Sequence, residues 1–81
     1  MINLCQVLEA LAKGIVDHPE AVSVTESKDL ENDDTIILTL SVDEADMGMI
    51  IGKHGKIARA IRTVMKAAAK ISDQMINVKI V

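Results

Sequence analysis

Leu4, Val7, Leu8, Leu11 and Ile15 recur at steps of three and four residues, the spacing of one apolar helix face. The pattern predicts a helix over 3–18. Asn3 stands as its N-cap, with Gln6 in the capping-box position. Pro19 disfavours helical geometry at His18, so the helix ends there or earlier. His18 then takes an ordinary place at the surface. Residues 21–27 largely alternate apolar and polar, as a half-buried strand does. The acidic stretch 28–34 is rich in turn formers and reads as a solvated loop rather than a carboxylate metal site. Alternation resumes over 35–42, with Ile36, Leu38, Leu40 and Val42 on one face. Asp43 caps a short helix over 44–51, with Asp46 favourably placed in its first turn. A longer helix follows over 56–71, with Ile57, Ala60, Ile61, Val64, Ala68 and Ile71 inward. Ile76, Val78 and Ile80 alternate in a terminal strand.

The predicted order is α-β-β-α-α-β. Three strands cannot hide an apolar face alone. Helices laid on one face of a three-stranded mixed sheet are the economical α+β solution. At 81 residues the chain suits one domain, 1–81, and cannot enclose a deep catalytic cavity. With 49% hydrophobic and 26% charged residues it is not a disordered chain. Its apolar runs are far shorter than the roughly 18–20 residues of a membrane span, and no secretory leader is evident. A cytoplasmic protein without membrane insertion is expected.

Charge changes the picture. The formal net charge is −3. From Met47 to Ser72, however, there is no acid, while Lys53, Lys56, Arg59, Arg62, Lys66 and Lys70 supply six of the nine basic residues. Salt screens charges beyond about 8–10 Å, so a polyanion senses this local field rather than the sum. The same stripe also serves as an ordinary solvated helix face. The lone cysteine, Cys5, forms no internal disulfide and sits in an apolar pattern as a small hydrophobe. There is no Phe, Tyr or Trp, so a partner is held without aromatic stacking.

The segment between the last two helices carries the chemistry: Ile50-Ile51-Gly52-Lys53-His54-Gly55-Lys56-Ile57. A sharp helix-to-helix turn requires backbone angles that glycine adopts cheaply, and glycine also admits another backbone at close range. The turn would present Lys53 and His54 outward. It would also expose free N–H groups at the start of a helix near Lys56, a phosphate-binding corner.

This segment, followed by a basic amphipathic helix, resembles the KH RNA-binding domain, whose GXXG loop clamps about four nucleotides. The preceding helix and strand resemble its type II, prokaryotic topology, and the likeness spans essentially the whole chain. At this length the chain is similar to the small bacterial stand-alone KH proteins of the KhpA (YlqC) type. The resemblance implies a cytosolic protein that binds single-stranded RNA, self-associates, pairs with a larger Jag-type KH protein and affects cell shape and division. It places Lys53 and His54 on the phosphate backbone and Gly52 and Gly55 at its closest approach. Ile50, Ile51 and Ile57 would floor the groove, and Lys56, Arg59 and Arg62 would line its positive rim.

The leading reading is a non-catalytic RNA-binding module with no cofactor or metal. The alternative is a dimerisation module that uses the same helix-turn-helix surface through Met49, Ile51 and Gly55. An enzyme is disfavoured, since no triad, zinc set or carboxylate pair stands out.

Overall fold

The computed structural model describes residues 3–32 and 34–81, and at Lys53 the backbone alone. The first helix, α1, spans Leu4–Lys13. Its start is the predicted one: the Asn3 side chain accepts the Gln6 N–H at 3.2 Å. It ends earlier than residue 18, at Gly14, whose N–H donates to the Ala10 carbonyl at 3.1 Å. A short 3₁₀ turn, Pro19–Ala21, leads into the sheet.

The sheet comprises β1 (Ser23–Lys28), β2 (Thr35–Ser41) and β3 (Met75–Ile80), with β2 in the centre. β1 pairs antiparallel to β2, placing Val24 opposite Leu40. β3 pairs parallel to β2, placing Leu38 opposite Val78. In the β1–β2 connection, Asp29 accepts the Glu31 N–H at 2.9 Å and so forms a local turn. Asp33 of the expected acidic loop lies outside the described residues.

The other helix, α2, spans Glu44–Ile71. Asp43 caps it as predicted, its carboxylate accepting the Ala45 N–H at 2.8 Å. The pattern divides this stretch into two helices, yet the structure joins them in one run of 28 residues. The division survives in the backbone. His54 has φ 65° and Gly55 has φ 70°. A regular helix keeps φ near −63°, so the run changes handedness there and falls into two halves. With both halves counted, the order is α-β-β-α-α-β. The core lies between the helices and one sheet face, built from Leu4 and Leu8 of α1, Leu38 and Leu40 of β2, Val78 of β3, and Ile50, Ile61 and Met65 of α2.

The second half of α2 is rotated from the expected phase. Ala58, Ile61, Met65 and Ala69 are buried, whereas Val64 and Ile71 are 46% and 77% exposed and Ala60 lies at the surface. Two overlapping apolar stripes share Ile61, and bulk favours the one carrying Ile57, Val64 and Ile71. Packing selects the other. Alanines permit close approach to the sheet, and the unbranched Met65 fills what gap remains.

Asp46 has a larger role than helix-start electrostatics. It is 2% exposed. Its carboxylate accepts the N–H groups of Asp17 at 3.2 Å and His18 at 3.1 Å, and faces His18 Nδ1 at 3.3 Å. These bonds replace the helical bonds that Asp17 and His18 forgo, and they tie the chain after α1 to the first turn of α2. His18 is therefore half-exposed yet tied to a buried carboxylate, which is more than an ordinary surface place. Among the described residues, no helix is long and apolar enough to cross a membrane.

Candidate nucleic-acid interface

The inversion at His54 and Gly55 builds the site. A side chain at positive φ costs about 1–2 kcal/mol, and histidine is among the residues that tolerate the region best. Gly55 takes it without a Cβ. Gly52 does not: its φ is outside the left-handed range and it sits within α2. The turn thus uses the second glycine and the histidine before it. A Cβ built at Gly52 or at Gly55 meets nothing within 4 Å, so the space over both is open. That is the condition for another backbone to come close.

His54 and Lys56 are exposed beside this opening. The Lys53 side chain lies outside the described residues. Ile51 is 52% exposed and Ile57 half-buried, so both can contribute apolar wall. Ile50 cannot. It is fully buried and backs the site from within the core, because its neighbour Ile51 occupies the outward helical position. Lys56 opens the second half of α2, directly after the inversion at His54 and Gly55. A cationic face lies beside the bare glycines.

That face is continuous. At about 3.6 residues per turn, Lys56, Arg59, Arg62, Lys66 and Lys70 fall on one side of α2, and all are exposed. Arg62 is partly committed elsewhere: its Nε donates to the Val78 carbonyl at 3.3 Å. It thereby binds α2 to the edge strand β3 and turns the basic face toward that edge. Sequence reasoning placed Arg62 only on a rim, since nothing in its spacing indicates a strand carbonyl.

Titration is perturbed elsewhere. The hydrogen bond to Asp46 raises His18 above its ordinary 6.5, despite partial desolvation. Burial pushes Asp46 upward, but the Asp17 and His18 N–H groups and the imidazole outweigh it and hold the carboxyl below its ordinary 3.8. Partial burial, then Glu26, raises the Cys5 thiol, whose Sγ lies 3.6 Å from Glu26 Oε1. The thiol is held protonated, as a packing residue.

A three-stranded sheet backed by helices, with a Gly-X-X-Gly turn in the α-α unit, defines the KH class. The family model for the KhpA/KhpB KH domain matches residues 5–80, and the chain belongs to that family. It is 47% identical over 76 residues to RNA-binding protein KhpA of Clostridium acetobutylicum, covering 94% of this chain and 97% of that protein. It is 46% identical over the same length to RNA-binding protein KhpA of Clostridium perfringens. Among solved structures it is similar to Era in complex with MgGDPNP and nucleotides 1506–1542 of 16S ribosomal RNA, with a TM-score of 0.64 and 16% identity. That match covers 95% of this chain and 28% of the Era chain, and it carries the fold alone.

Proposed function

We propose that the chain is a single KH unit that grips single-stranded RNA at Gly52-Lys53-His54-Gly55 without catalysis. The carrying observation is the open space over Gly52 and Gly55 at the inversion of α2, flanked by an acid-free basic face. Phosphates approach over the glycines toward Lys53, His54 and Lys56, and bases lie against Ile51 and Ile57. Aliphatic walls supply contact without stacking, so one module binds weakly and discriminates little. The names of the curated relatives support the same reading.

The test is the Lys53→Asp, His54→Asp double variant. It is expected to lose binding to a single-stranded oligonucleotide while keeping its helical circular dichroism. Unchanged affinity would remove the motif from the function.

A second reading concerns association. Met49, Ile51, Val64 and Ile71 are large apolar side chains left exposed along α2. We infer that this helix also joins copies of the chain, or joins the chain to a larger Jag-type KH partner. In that setting it acts in the cytoplasm in post-transcriptional regulation that affects cell shape and division.

A further inference from the structure

The basic face of α2 does not stop where the Gly-X-X-Gly turn ends. From Lys56 to Lys70 it runs fourteen residue steps, about 21 Å of helix. A KH clamp spans about four nucleotides. The far cations, Lys66 and Lys70, therefore stand a helix length beyond the turn. They flank an open groove of about 340 Å³ between the end of α2 and the start of β3. Gln74, Met75 and Ile76 line the same groove, and Met75 is 60% exposed. Among the described residues neither lysine is held in an ion pair. Asp73, at positive φ in the turn before β3, is the one acid lining the groove.

The arrangement repeats the chemistry of the turn: cations beside an apolar wall, at the size of a small-ligand pocket. It is continuous with the first site, because Arg59 and Arg62 lie between on the same face and Arg62 turns that face toward the β3 edge. A strand of uniform negative charge fits this track. We infer that the groove at Lys66, Lys70, Met75 and Ile76 is a second contact segment for the same single-stranded RNA, holding nucleotides that flank those clamped at Gly52–Gly55. The inference rests on the RNA reading above and extends it. Lys66 and Lys70 take phosphates, Met75 and Ile76 carry a base, Gln74 offers its amide to a base edge, and Asp73 ends the anionic path.

The test uses the full chain and two labelled oligouridylates, a tetranucleotide and a dodecanucleotide. Lys66→Gln with Lys70→Gln alters only exposed side chains and is expected to fold normally. It should bind the dodecanucleotide roughly five- to ten-fold more weakly and reduce the slope of log affinity against log salt by about 1.4, the value for two phosphate contacts on a single strand. Its affinity for the tetranucleotide should match the wild type. Lys66→Arg with Lys70→Arg should restore the dodecanucleotide. If the glutamine variant binds both oligonucleotides as the wild type does, the second segment is overturned while the first stands. If it weakens both equally, the two lysines act as a general field and the segment is likewise overturned. A wild-type chain that binds neither oligonucleotide overturns both the clamp and its extension.

Discussion

At the residue scale, Asp46 is the group whose removal says most. A buried carboxylate is tolerated only when its lone pairs are filled, and here two backbone N–H groups and an imidazole fill them. Asp46→Ala orphans both amides and is expected to lower the denaturation midpoint substantially. The pair also sets a pH window. His18 is raised, so its contribution is full below about 6.5 and is lost as pH climbs through the raised value. Asp46 is lowered, so its contribution is full above about 3.8 and is lost as pH falls through the lowered value. Asp43 and Glu20 also face His18 and add to its rise. The stability gap between wild type and His18→Gln should be widest near pH 5 and close as pH rises through the raised His18 value. Urea titrations at several pH values measure it, and a gap that widens with pH would contradict the pairing.

At the element scale, the two glycines of α2 make opposite predictions. Gly55 stands at φ 70°, so Gly55→Ala strains the backbone and should destabilise by about 1–2 kcal/mol. Gly52 sits in helical backbone with open space around its missing Cβ, so Gly52→Ala should stabilise by about 0.5–1 kcal/mol. Under the proposed clamp the same methyl would stand in the path of the RNA backbone, so RNA affinity should fall as stability rises. Denaturant midpoints and binding isotherms on both variants check this, and equal effects from both would refute the assignment of separate roles. The motif shows in the sequence as a symmetrical pair. Its unequal division of labour does not, because φ is set by how the two halves of α2 meet the sheet.

At the scale of the whole molecule, α2 shows three faces beyond the turn. One is buried through Ala58, Ile61, Met65 and Ala69. One is basic. The third, through Ala60, Val64, Ala67 and Ile71, is apolar and open to solvent. A side chain as large as Ile71 at 77% exposure has lost the benefit of burial in the single subunit. Self-association over this face predicts a dimer in sedimentation at micromolar concentration. Val64→Asp should return a monomer with unchanged helical content. A wild-type chain that stays monomeric counts against the interface.

Much was legible in the chain. Alternation gave all three strands to within a few residues, because side chains on a pleated strand have only two directions to choose between. Asn3 and Asp43 announced their helix starts, because capping is a local bond between a side chain and an amide a few residues on. The Gly-X-X-Gly turn and the acid-free basic stretch were likewise written locally. Three features needed the folded chain: the phase of the second half of α2, the burial of Ile50, and the Asp46–His18 tie across 28 residues. Each depends on which surface lies opposite. Periodicity shows that a helix has an apolar side, but only packing against a particular sheet decides which of two such sides goes in and which cations remain to line the edge.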